Sequence, residues 1–127
     1  MTDKNLLKIA EEFGTPTYVY DAESIKNHYE KLTTSFHKST RFFYAAKALT
    51  NINILKYIKN LGAGLDCVST NEVKLGLKAG FTNDKILFTP NCVDLLEIEE
   101  AMKLKVHINI DNISILEQFG NKYGNAY

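Results

Sequence analysis

Net charge is the first thing this sequence lacks, since 15 lysine and arginine side chains balance 15 aspartate and glutamate side chains. Without an excess of one sign there is no electrostatic footprint for nucleic acid or an anionic membrane, and neither is expected as a partner. No apolar run approaches the ~20 residues of a membrane span. The first fourteen residues, Met1 to Gly14, mix Asp3, Lys4, Lys8, Glu11 and Glu12 with spaced apolar positions. That is not the pattern of a signal peptide, so a cytoplasmic location is expected. Cys67 and Cys92 are too few for a disulfide scaffold, and neither has a cysteine or histidine neighbour at metal-ligand spacing. No metal site is expected. Also missing is any G-x-G-x-x-G or P-loop after a strand, so the fingerprint of nucleotide binding is absent. What is present is ordinary globular composition, 127 residues of which 45% are hydrophobic and 24% charged, enough for one core.

The chain alternates between two periods. Leu6, Ile9, Ala10 and Phe13 make the apolar face of a short helix that Gly14 and Pro16 stop. Thr17–Asp21 is a β-rich run, read as a strand. Ile25, Tyr29, Leu32 and Phe36 mark an amphipathic helix over 22–38. After that a unit repeats. A helix near 52–61 turns Ile54, Leu55, Ile58 and Leu61 inward, and Leu65–Val68 reads as a strand. Ser69-x-x-Glu72 has the form of a capping box and opens a helix to Gly80. Lys85–Thr89 is the next strand, Asp94 and Glu97 start a helix to about Leu104, and Val106–Asp111 is the fourth strand. Ser114-x-x-Glu117 opens a last helix with Leu116, Phe119 and Tyr123 on one side. The strands end near Ala48, Ser69, Thr89 and Asp111, 21, 20 and 22 residues apart. That pitch is the βα unit of a parallel sheet. An open doubly wound sheet and part of a (β/α)8 barrel both fit.

The stretch with most chemistry is Arg41-Phe42-Phe43-Tyr44-Ala45-Ala46-Lys47-Ala48, an aromatic run of strand length that ends in a single lysine. Alternation puts Phe43, Ala45 and Lys47 on one face. A lysine on a buried strand face is costly to keep charged, and burial lowers such a group from its reference near ~10.4. A neutral amine is what Schiff-base chemistry requires. The plainer reading is a strand-end lysine whose stem lies on apolar surface and whose ammonium reaches water.

Three segments carry a resemblance to a known family. Thr15-Pro16-Thr17-Tyr18-Val19-Tyr20-Asp21, Tyr44-Ala45-Ala46-Lys47-Ala48 and Gly62-Ala63-Gly64-Leu65-Asp66-Cys67-Val68-Ser69-Thr70-Asn71-Glu72 resemble the start of the diaminopimelate decarboxylases. These are pyridoxal phosphate (PLP)-dependent decarboxylases of alanine racemase-like fold. The likeness runs from about Phe13 to Phe119, with departures at Ala46, Leu49-Thr50 and Thr70-Asn71. It implies an α/β chain forming the N-terminal half of a (β/α)8 TIM-type barrel over 22–127. Residues 1–21 would carry a helix and a strand that join a second, β-rich domain absent from this chain. It implies PLP as cofactor, Lys47 as the catalytic Schiff-base lysine, and Ala45 and Asp66 against the cofactor.

The reaction implied is decarboxylation of meso-2,6-diaminopimelate to L-lysine, with an amino acid as small-molecule partner and a homodimer when full length. These 127 residues alone are expected to be inactive, with strand edges unpaired. The alternatives are an ornithine, arginine or carboxynorspermidine decarboxylase, alanine racemase, a single-domain PLP-carrier protein, or a small α/β binding domain with Lys47 as surface charge. Glu72 is read as a capping glutamate, Asn91 as a turn residue and His107 as a satisfied structural histidine. Cys67 and Cys92 are read as small buried residues, because the family's acid–base cysteine belongs to the C-terminal domain.

Overall fold

The computed structural model describes residues 1–124, which fall into two compact units, Met1–Lys38 and the stretch from Ser39 onward. The first unit holds two helices. α1 (Asp3–Phe13) starts where the Thr2 side chain accepts the Asn5 N–H, and it ends at Gly14. α2 (Ala22–Thr34) is capped by Asp21, whose carboxylate accepts the Ser24 N–H at 3.0 Å and pairs with the N-terminal ammonium at 2.9 Å. Those contacts, the Ser24 N–H foremost, hold the Asp21 carboxyl below its ordinary range.

α2 stops four residues short of the expected 38. Thr34 and Ser35 donate their hydroxyls to the Glu30 and Lys31 carbonyls at 2.8 and 2.7 Å, and such back-bonding competes with further helix. The expected strand over Thr17–Asp21 is not formed, and residues 17–20 have no regular structure. A strand exists through its ladder, and among the described residues this run has no strand partner.

The second unit is four βα steps. β1 (Phe43–Ala45) leads to α3 (Ile52–Asn60), β2 (Gly64–Cys67) to α4 (Thr70–Ala79), β3 (Ile86–Phe88) to α5 (Leu95–Lys103), and β4 (His107–Ile108) to α6 (Ile113–Tyr123). All neighbouring strands pair in parallel and in chain order, β1-β2-β3-β4. A doubly wound sheet reverses its strand order part-way. Consecutive order with right-handed crossovers instead keeps every helix on one face, the arrangement of a (β/α)8 barrel.

Burial agrees with that arrangement. Leu65, Cys67, Ile86 and Phe88 alternate onto one side and are fully buried, in one cluster with Leu55 of α3, Val73 of α4, and Ile98 and Ala101 of α5. Full burial contributes about 1.5–3 kcal/mol for each of the larger side chains. α4 comes close to the sheet because position 76 has no side chain; a Cβ there would lie 2.4 Å from a Leu65 methyl.

Each of these helices starts on a capping side chain. Asn51, Ser69, Asp94 and Asn112 accept N–H groups of the first turns of α3, α4, α5 and α6. Ser69 and Asp94 are the expected caps. Ser114 is not the cap of α6, because the extended backbone already ends at Asn112, whose side chain takes the Ile115 N–H at 2.9 Å. The fourth strand is shorter than expected, although the Asn109 N–H still reaches the Phe88 carbonyl at 2.9 Å.

Ion pairs tie the helices laterally. Lys74 and the Thr70 hydroxyl of α4 both bind the Glu100 carboxylate of α5, at 2.5 and 2.8 Å. Lys122 of α6 meets Glu99 of α5 at 2.6 Å. The Lys74–Glu100 pair is exposed and such pairs add little, whereas Glu99 is buried; the apolar core decides where the helices sit. No helix among the described residues is long and apolar enough to cross a membrane.

The Glu99 pair makes stability depend on pH. The Lys122 hydrogen bond holds the Glu99 carboxyl below its ordinary value, so its contribution is complete at neutral pH and is lost as pH falls through the folded-state value. Glu99→Gln removes that contribution. Between about pH 7 and about pH 3 its urea midpoint should fall less than that of the wild type; equal slopes would contradict the assignment.

Candidate functional site

The face of the sheet turned away from the helices carries a row of side chains in register. Ala45 pairs with Asp66, Asp66 with Leu87, and Leu87 with His107. Parallel partners in register point the same way, so these four share the open face. Ala45, Asp66 and Leu87 are half-buried and His107 is exposed. Ala45 and Asp66, both expected at the site, are therefore direct neighbours. Asp66 is held from the next strand, where the Thr89 hydroxyl donates to its Oδ1 at 2.5 Å.

Lys47 departs from its expected placement in two ways. The chain leaves the strand after Ala45, and Ala46–Ala48 close a 3₁₀ turn in which the Leu49 N–H donates to the Ala46 carbonyl at 3.0 Å. Strand alternation therefore does not place Lys47 beside Ala45. Nor is it buried. Ala46 takes the fully buried position and Lys47 stands exposed at the C-terminal rim. The cause lies in the ladder, which pairs Ala45 with Asp66 as its last step, so the backbone of the next residues is free to satisfy itself locally. Tyr44 tacks this turn to the strand, its hydroxyl donating to the Leu49 carbonyl at 3.4 Å. Lys47 lies just past the C-terminal end of β1 and Asp66 one residue before the end of β2, at the rim where barrels of this kind place their chemistry.

The remaining residues sort cleanly. Glu72 is a capping residue, its carboxylate accepting the Val68 N–H at 2.8 Å while its own N–H donates to Ser69 Oγ at 3.3 Å. Asn91 is an exposed turn residue. His107 is exposed on the open face, which corrects its reading as a satisfied structural histidine; β4 presents it on the side away from the core that α3, α4 and α5 share with the sheet. Thr89 was not singled out from the sequence. Its signal was there, since the period of two from Leu87 puts it on the face of Asp66 at the end of a strand.

The comparisons with known proteins bear on this rim. Residues 22–127 match the family described as pyridoxal-dependent decarboxylase, pyridoxal binding domain. The diaminopimelate decarboxylase of Methanothermobacter thermautotrophicus is 40% identical over 113 residues, covering 87% of this chain and 26% of that protein. Among solved structures, the diaminopimelate decarboxylase from Helicobacter pylori complexed with L-lysine is 30% identical with a TM-score of 0.74, over 90% of this chain and 31% of that one. The lysine/ornithine decarboxylase from Vibrio vulnificus complexed with putrescine has a TM-score of 0.86 over 96% of this chain and 34% of that one. At 24% identity it speaks for the fold alone. The chain thus spans about a third or less of each of these relatives.

The two cysteines separate. Cys67 is fully buried, and burial, reinforced by the Glu72 and Asp66 carboxylates, pushes its thiol up to about 12. Cys92 is exposed, which corrects the expectation that both are buried. Past the buried Pro90 the chain turns outward and adopts φ 55 at Cys92, whose N–H donates to Asp111 at 3.0 Å. With a maleimide at neutral pH the folded chain should therefore lose one thiol and keep Cys67, which should react only after denaturation. Modification of Cys67 in the native state would contradict this burial.

Proposed function

Because the chain belongs to the pyridoxal-dependent decarboxylase family through its pyridoxal-binding domain, we propose that it is the N-terminal part of a diaminopimelate decarboxylase. The full-length protein would remove one carboxyl group from meso-2,6-diaminopimelate and yield L-lysine. The observation that carries this reading is the placement of Lys47 two residues beyond Ala45, which pairs with Asp66 near the end of the neighbouring strand. The relative at 40% identity bears the diaminopimelate name, which favours that substrate over ornithine, arginine or carboxynorspermidine and over an alanine racemase or a PLP carrier.

The residues fit the cofactor. An exposed primary amine at the rim is accessible to an aldehyde. The small Ala45 side chain stands beside Asp66 on the open face. Lys47 would hold PLP through its side-chain nitrogen, and Ala45 and Asp66 would lie against it. When bound, PLP supplies an electron sink for breaking the bond to the carboxyl carbon. Lys47 would anchor the cofactor, Ala45 would leave room for a ring, and Asp66 would present a carboxylate. Residues 22–127 would be the first half of the barrel. Residues 1–21, with the unpaired run at 17–20, would associate with a β-rich domain. A cytoplasmic homodimer is the form in which the whole protein would act.

The full-length protein mixed with PLP should show the absorbance band of lysine-bound cofactor. Lys47→Ala should abolish the band and lower turnover by more than about 10³-fold. A band that survives in Lys47→Ala would overturn the reading.

A further inference from the structure

Thr89 stands at the end of β3, and three features fix it there. Its N–H donates to the Cys67 carbonyl at 2.8 Å, which extends the β2–β3 ladder one residue past the strand. Pro90, which follows, is fully buried. The Thr89 hydroxyl donates to Asp66 Oδ1 at 2.5 Å. The strand period puts Thr89 on the same face as Leu87 and Asp66, so this bond crosses from one strand to the next on the open side of the sheet. A lone aspartate at a strand end has several staggered rotamers, and a hydrogen bond from a rigidly held hydroxyl selects one. With Oδ1 engaged, Oδ2 has no hydrogen-bond partner among the described residues.

We propose that Thr89 is a positioning residue of the cofactor site, fixing the Asp66 carboxylate so that its second oxygen is presented over the row that begins at Ala45. The inference rests on the reading of Lys47, Ala45 and Asp66 given above. Thr89 touches no cofactor in this account and acts through Asp66 alone. A threonine suits the task because its branched side chain is stiff about χ1, whereas a longer donor would have more ways to miss.

The test uses the full-length protein stripped of cofactor and titrated with PLP, reading the dissociation constant from the absorbance of lysine-bound cofactor. Thr89→Val keeps the shape and loses the hydroxyl. It should weaken PLP binding roughly 10-fold, the cost of losing a hydrogen bond to a charged group. Thr89→Ser should bind as the wild type does. In an Asp66→Ala background, Thr89→Val should change the constant no further. Wild-type affinity in Thr89→Val, or an equal loss in both backgrounds, overturns the proposal, and so does a serine variant as weak as the valine one. Should Thr89→Val fail to fold, Thr89→Ala replaces it in the same four-way comparison. Lys47→Ala, run alongside, separates the two levels. A band that persists there sinks the cofactor reading itself, whereas a band lost there with Thr89→Val unchanged sinks only the role of Thr89.

Discussion

Everything at the rim follows from one constraint, the alternation of side chains across strands that pack α3, α4 and α5 against one side. The core takes Leu65, Cys67, Ile86 and Phe88. Once those four face the helices, the intervening residues must face away. Ala45, Asp66 and Leu87 are therefore collected on the open face by the burial of their neighbours, not by any affinity for one another. A slip of one residue in any strand would bury Asp66 without a partner and expose a core side chain, which is why register is strongly specified here.

Parallel order sets the second half of the arrangement. Strands that run the same way end at the same rim, and each hands over to a helix whose first turn is capped by Asn51, Ser69, Asp94 or Asn112. The rim is therefore where backbone order changes character, and polar side chains gather there because N–H groups need acceptors. Lys47 and Thr89 both occupy such handover points. One sits in a 3₁₀ turn and is exposed; the other is pinned by ladder, proline and aspartate.

Much of this was legible in the sequence. The regular pitch of strand ends, the Ser69 and Asp94 caps and the inward positions Ile54, Leu55 and Ile58 are local patterns, and all of them stand in the structure. Ala45 and Asp66 could be named from a resemblance, and their adjacency is a matter of register. What could not be read was decided by non-local or competing contacts. The turn at Ala46–Ala48 depends on where the ladder with β2 stops. The end of α2 depends on hydroxyls that prefer nearby carbonyls to further helix. Cys92 and His107 are exposed because of where the backbone leads them, and their residue types carried no sign of it. The run at 17–20 has strand composition but no strand partner among the described residues, and composition alone does not build a ladder.

The central claim is that Lys47, and no other lysine, carries the cofactor at this rim. It is tested most directly by loading the full-length protein with PLP, reducing it with borohydride, digesting it and mapping the pyridoxyl mass. The account predicts the label on the peptide that contains Lys47. A label on a different lysine, or none on any, would contradict it.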